Sequence, residues 1–556
     1  MNAMRWPSRT WIGTALILAL LSPAALALPG DYDTTFDGGV FNVPTTSPCY
    51  GAQGNAVALQ HDGRVLIGGH ATIGANCDQS AWTLVRRNAD GTPDTTFGGG
   101  TGQVNLQVGG VGVPGADWAG TTIGALNFLA VQSDGKIVGA GDAFDSTGHV
   151  FAVYILRWNS DGTLDSTFGS GGRAEADLGA EGSHPHALAL QSDGKILVAF
   201  SAGLTSGGVQ SGLARYTTSG SLDTGFGTGG VVILTVAVLS NVQQDLALQP
   251  DGRILLGSEQ VPGRSPIVVR LTTSGALDTS FGTGGIAAVP TNRGNGSTWV
   301  RAVVPQPDGS IVGIANTTIN ACWLFRLRSN GDPDTHFGQQ HLAYRRIARH
   351  CGSLLLTPTG SIRIYMGSID RFDRVYGYTD NGAIDTAFVQ AGGTTPGESI
   401  QPVTGNDADS VSELLMQPDG RLVVGGTFAT RVDYLFARYE GDSLQLRPKT
   451  FTFASVGGVP ASTLETSNAI TIANLTASAQ VPITVAGGSY SVNGRSYTTR
   501  LGYVTNGDVV RVEHTSSATS GGVVTTTLRV GGTNAPNAPW VINGSQVVAK
   551  FTTTTL

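Results

Sequence analysis

His184-Pro185-His186, within GSHPHALAL, is the tightest histidine pair in the chain. Two imidazoles this close suit a transition metal, but zinc sites take three or four protein ligands. His184 and His186 alone therefore make an incomplete metal site, and the preferred reading is a surface loop just ahead of a strand. Asn88-Ala89-Asp90-Gly91 and Asn159-Ser160-Asp161-Gly162, each with an Asp three residues after the Gly, resemble the opening of a calcium loop. They lack the bidentate Glu that closes one, and turn hydrogen bonding explains them as well. No cofactor is predicted, though the two turns leave calcium possible. The carboxylates Asp142, Asp145 and Asp245 could line a channel. Glycosidase chemistry needs two such groups at a set separation, which isolated positions in sequence do not supply. There is no GxSxG, HExxH or GxxxxGK[ST] motif, so no catalytic residue is assigned.

The elements that would position these groups are written as a repeat. GALDTSFGTGG at 275–285 has near-copies whose Phe falls at Phe36, Phe97, Phe168, Phe226, Phe281, Phe337 and Phe388. An Asp stands three residues ahead of each: Asp33, Asp94, Asp165, Asp223, Asp278, Asp334 and Asp385. A second motif, VALQHDGRVLIGG at 57–69, also recurs seven times; two apolar runs flank an Asp-Gly turn, the signature of a β-hairpin. A third run follows each hairpin, as in TLVRR and GLARY, and a fourth follows the glycines, as in GGVVILTV.

Four short strands repeated seven times predict an all-β chain with a seven-bladed β-propeller; a β-solenoid, with shorter coils and no four-strand meander, is the rival. The chain opens on a last-strand motif and its final Tyr439 lacks one. The strand near 39–43 is therefore expected to complete the blade at 411–439, which removes open edges, although blades in register with the sequence stay possible. In five copies an Arg precedes the Asp by eight residues: Arg86, Arg157, Arg215, Arg270 and Arg326. Each is expected to pair with its Asp across the turn, while the Phe fills the space between blades. The sixth copy carries Gly377 in place of the Arg, and TPTG at 357–360 in place of the Asp-Gly turn.

On LDTSFGTGG and LALQPDGRILLG, residues 31–441 resemble the delta-60 repeat family. That resemblance implies a propeller fold and an exported bacterial protein, and no particular reaction. From about Thr450 the composition shifts to Thr, Ser and Val in alternating runs, predicting about seven strands of an immunoglobulin-like β-sandwich. The segment resembles accessory domains of secreted bacterial proteins at SNAITIANL and NGDVVRVEHTSS, which implies attachment or spacing.

Arg5 and Arg9, the apolar run Trp11–Leu21 and the small-residue site at 25–27 read as a signal peptide. The expected organisation is signal peptide 1–27, propeller 28–445 and sandwich 446–556, in a periplasmic, cell-surface or extracellular protein with no membrane span. Cys49, Cys77, Cys322 and Cys351 suit two disulfides in that compartment; Cys49–Cys77 with Cys322–Cys351 is preferred among three connectivities because each pair is close in sequence. Charged residues are only 13% and the net charge is -7, which excludes a basic nucleic-acid surface. The expected molecule is a monomeric, non-catalytic binding or scaffold protein whose loop faces meet an envelope component, carbohydrate or protein. The alternative is a channel-centred hydrolase, lactonase or dehydrogenase with a metal or cofactor.

Overall fold

The computed structural model describes residues 33, 35–36, 41–43, 52–60, 62–73, 79–106, 125–144, 150–176, 178, 182–204, 209–234, 245–260, 265–290, 298–317, 321–338, 343–344, 351–366, 372–388, 396–402, 410–417, 419–427, 434–441, 448–476, 479–531 and 547–556. The signal-peptide segment, Cys49, Cys77 and Asp145 lie outside them.

Among the described residues the repeat forms seven four-stranded antiparallel sheets. Sheets I to VI span 52–106, 126–176, 183–233, 245–288, 298–344 and 351–402, each a meander in chain order. Sheet VII combines the strands at 410–439 with Phe41–Val43, which pairs antiparallel to Tyr434–Tyr439 through Phe41↔Phe436 and Val43↔Tyr434. The first and last parts of the repeat segment are thus joined within one sheet. The first strand of each sheet packs on the sheets beside it, VII returning to I, so the sheets close into the ring of a β-propeller with these strands around its axis.

Each hairpin turn needs one residue at positive φ. The second-motif glycines Gly63, Gly135, Gly194, Gly252, Gly309, Gly360 and Gly420 supply it, with φ between 82° and 90°. The cores lie between sheets. Val138, Ile155, Val198 and Tyr216 pack sheet II on III, and Leu197, Leu213, Leu256 and Val269 pack III on IV. All seven motif phenylalanines are fully buried in such layers. The disulfide Cys322–Cys351, with Cα atoms 5.7 Å apart, ties sheet V to sheet VI.

Residues 456–555 form two further sheets. One is five-stranded, in the order Val456–Val459, Val547–Thr555, Val523–Val530, Val481–Ala486, Gly502–Val504. The other places Leu464–Thr466, Ile470–Thr471 and Ser489–Val492 against Val509–Thr515. These are nine strands where the sequence suggested about seven, because two-to-four-residue segments pair separately. His514, 5% exposed, joins the two sheets, its ring nitrogens 2.8 Å from Thr526 Oγ1 and 2.7 Å from Thr553 Oγ1. The sandwich sits against sheet VI. Gln480 donates its N–H to the Pro358 carbonyl at 2.8 Å, and one continuous core runs from Tyr376 and Tyr439 to Phe453, Ile472 and Val481. Pro358 is consequently buried, whereas Ser133 and Ser192 at the same turn position are exposed.

Candidate functional site

The motif residues build the wall of the ring. In the five expected pairs the Arg Nε donates to the Asp Oδ2 at 2.6 to 2.8 Å. Two more pairs complete the set. Arg438 reaches Asp33 at 2.8 Å across the chain closure, and Arg363 reaches Asp385 at 2.9 Å. Arg363 comes from the second strand of sheet VI, directly opposite Gly377, and makes the contacts to Asp385 and Phe388 that the Arg makes in the other copies. All seven guanidiniums lie 4.3 to 4.6 Å over their motif Phe rings. Several also reach the next sheet: Arg157 donates to Thr218 O, Arg215 to Thr273 O, Arg270 to Ser329 O and Arg438 to Ala89 O, at 2.6 to 2.7 Å. Burial opposes ionisation of Asp33, Asp94 and Asp278, but Thr or Ser hydrogen bonds and the Arg charge outweigh it and hold these carboxyls below the usual range.

The calcium-like turns serve the backbone. Asp90 Oδ1 accepts the Thr92 N–H and hydroxyl, and Asp161 accepts the same pair from Thr163. His184 and His186 lie inside the strand Ser183–Leu190 rather than in a loop, because the strand starts earlier than its apolar run. Their rings part: His184 Nδ1 is 3.3 Å from Asp142 Oδ2, while His186 Nε2 is 2.7 Å from Ser201 Oγ. Among the described residues no group of three or more His, Cys, Asp and Glu could hold a metal.

Sequence reading missed a bulge in the axial strands. The register shifts at Asn55, Asn127, His186, Arg301, Gly352 and Ser412, always at the same offset from the turn glycine. Bulges re-aim the chain and recur beside functional sites. The next residue in each copy forms a second column: Ala56, Phe128, Ala187, Asp245, Ala302, Ser353 and Glu413. Small or apolar residues fill most of it, so its two carboxylates stand out. Aligning the copies on the turn glycine shows this column in the sequence itself; only Asp245 had drawn notice.

Asp245, Arg301, Ser353 and Glu413 line a cavity of about 200 Å³ between sheets IV, V, VI and VII. Two of the column residues are held by the next sheet: Asp245 Oδ2 accepts the Val303 N–H at 2.6 Å, and Ser353 Oγ accepts the Leu414 N–H at 3.0 Å. Glu413 and the Arg301 guanidinium form no hydrogen bond or ion pair with the described residues, and both carry solvent exposure. Glu413 keeps contact with water, yet the protein around it displaces enough solvent to push its carboxyl up to about 7, with the Asp245 charge adding and Arg301 opposing. Burial likewise raises Asp245. The arrangement offers free acceptors, a proton donor when Glu413 is protonated, and a forked cationic donor at one cavity.

The ring of four-stranded sheets places the chain in the β-propeller class. Five segments, 60–97, 132–168, 191–226, 249–281 and 417–443, match the family model described as a domain of unknown function (DUF5122) beta-propeller. The unmatched copies in sheets V and VI carry Ser310 and Ser361 where the others have Arg or Lys after the turn. No curated protein matches the sequence. Solved structures similar to the chain include a virginiamycin B lyase from Staphylococcus aureus, at 11% identity over 72% of this chain and 99% of that one, TM-score 0.39. The periplasmic gluconolactonase PpgL of Pseudomonas aeruginosa aligns at 14% identity over 59% and 82%, TM-score 0.35. The propeller domain of the Trilobed protease from Pyrococcus furiosus aligns at 10% over 72% and 95%, TM-score 0.37.

Proposed function

We propose that this is an exported, monomeric, non-catalytic binding protein that holds a carbohydrate at the axial cavity, with residues 28–445 as propeller and 446–556 as an immunoglobulin-like spacer or attachment domain. The observation that carries the reading is that Glu413 and Arg301 face one cavity with their hydrogen-bonding capacity unspent. Hydroxyl groups both donate and accept, and so match neighbouring carboxyl and guanidinium groups. The Cys322–Cys351 disulfide suits an oxidising compartment, and among the described residues no helix is long and apolar enough to cross a membrane. The test is retention of the purified protein on an array of neutral and acidic oligosaccharides. Wild type is retained, and Arg301→Ala and Glu413→Gln lose at least about tenfold in affinity, the equivalent of one lost charged hydrogen bond. No retention of wild type, or equal retention of both variants, rejects the reading.

A second reading rests on Glu413 and Asp245, two carboxylates lining one cavity. A carboxyl held near 7 suits a general acid, and with Asp245 it would make this a channel-centred glycan hydrolase. Release of reducing ends from a retained glycan, abolished in Glu413→Gln, would favour it; tight retention of intact glycan favours binding.

A further inference from the structure

A second polar column lies in the next strand of each hairpin, and its ordinary work is visible at two junctions. Asn316 of sheet V donates to the Cys351 carbonyl at 3.0 Å and accepts the Cys351 N–H at 2.9 Å. Thr427 of sheet VII accepts the Gly54 N–H at 3.0 Å and donates to the Gly54 carbonyl at 3.2 Å. Cys351 and Gly54 each immediately precede a bulge. The column residue therefore caps the backbone of the next sheet where the bulge interrupts the ladder.

Asp142 occupies this column in sheet II, and the residue it would cap in sheet III is Pro185. Proline has no N–H. The carboxylate is thus released from the capping role, and its Oδ2 meets the ring of His184 instead, at 3.3 Å. Its other oxygen is fixed from behind: Asn127 Nδ2 donates to Oδ1 at 2.9 Å and the Ala125 N–H donates at 3.4 Å. Asn55 in turn donates its Nδ2 to Asn127 Oδ1 at 3.1 Å, which sets the orientation of the Asn127 amide. An ionised carboxylate only accepts, so the His184 proton sits on Nδ1 and, in the neutral ring, Nε2 presents a bare lone pair. The His184 side chain is 47% exposed, at the end of the strand far from the turn.

We propose that His184, oriented by Asp142 with Asn127 and Asn55 behind it, is a hydroxyl-accepting station at the propeller mouth. It would take an O–H of a polyhydroxylated ligand, a saccharide, on Nε2. The ligand class rests on the carbohydrate reading of the axial cavity; the orientation of His184 does not. Asp142, Asn127 and Asn55 are positioning residues.

The first experiment reads the ring directly. With 15N-histidine incorporated into the full chain, which has nine histidines, His184→Ala assigns the signal and imidazole spectra report the tautomer. The Nδ1–H form is expected in wild type. Asp142→Ala is expected to abolish that preference, and Pro185→Ala to weaken it by supplying an N–H that captures Asp142. An Nε2–H form in wild type, or indifference to Asp142→Ala, overturns the proposal. On the oligosaccharide array, His184→Ala is expected to bind about tenfold more weakly, the scale of one hydrogen bond. Loss in Arg301→Ala with His184→Ala unaffected overturns this station and leaves the cavity reading standing. Loss in His184→Ala with Arg301→Ala and Glu413→Gln unaffected does the reverse. A wild-type protein retained by no saccharide overturns the hydroxyl-ligand assignment in both.

Discussion

Arg438 donates from Nε to Asp33 Oδ2 at 2.8 Å although the two stand 405 residues apart, and its guanidinium covers the ring of Phe36 at 4.5 Å. The same three side chains that staple every sheet thus also close the ring. Both partners are buried, so removing one leaves an uncompensated charge, which costs about 3–5 kcal/mol. Asp33→Ala is expected to lower the free energy of unfolding by that amount and to expose Phe41–Val43 to amide exchange. Asp33→Ala with Arg438→Met should recover part of it. Unchanged exchange in the single variant would remove the closure role.

Gly377 has no room for a side chain because Phe388 packs directly against its Cα. A Cβ there would lie 2.7 Å from Phe388 Cβ and under 3.0 Å from the ring. Gly377→Ala is expected to destabilise by about 1–3 kcal/mol through overpacking. Arg363→Ala should cost more, since it strands Asp385. Equal stability of Gly377→Ala and wild type by chemical denaturation would remove the packing account, and an Arg363→Ala variant as stable as wild type would refute the exchange of roles between Arg363 and the missing Arg.

Glu413 gives a pH dependence with a definite sign. Its folded carboxyl titrates at about 7, above the ordinary 4.5, so between these values the folded chain holds a proton the unfolded chain has lost. Stability from this group is present at low pH and declines as pH rises through the window. Glu413→Gln should flatten that decline and melt higher than wild type at pH 8. An unaltered pH profile would show that the carboxyl is not perturbed.

His514 acts in the opposite direction. Burial lowers its pKa against the opposing pull of Glu465, so the ring stays neutral between Thr526 and Thr553. Its contribution is present above about 6.5 and is lost as pH falls toward its depressed folded value. Acidification should loosen the sandwich, seen as faster amide exchange in Val509–Thr515. His514→Gln should blunt that acid response.

The ring was legible in the sequence because the Asp/Phe spacing recurs seven times and the Asp-Gly turn six times, both of them local signals. The five Arg–Asp pairs were legible for the same reason. Arg363 and Arg438 were not, since one substitutes from a neighbouring strand and the other pairs with an Asp 405 residues away. The histidines were noticed as a sequence pair, but the relevant relation is His184 with Asp142, set by the missing N–H of Pro185. Glu413 and Arg301 were overlooked because a lone charge in an apolar run has no local pattern; it stands out only when the copies are stacked column by column.

The seat of the sandwich on the turn of sheet VI gives the molecule a front and a back. Its C-terminal domain is fastened on the side of the Asp-Gly turns, and His184 stands at the other end of its hairpin. A surface that held the protein by that domain would meet its back. The opening beside His184 would then look outward, toward material arriving from solution, without any hinge being required.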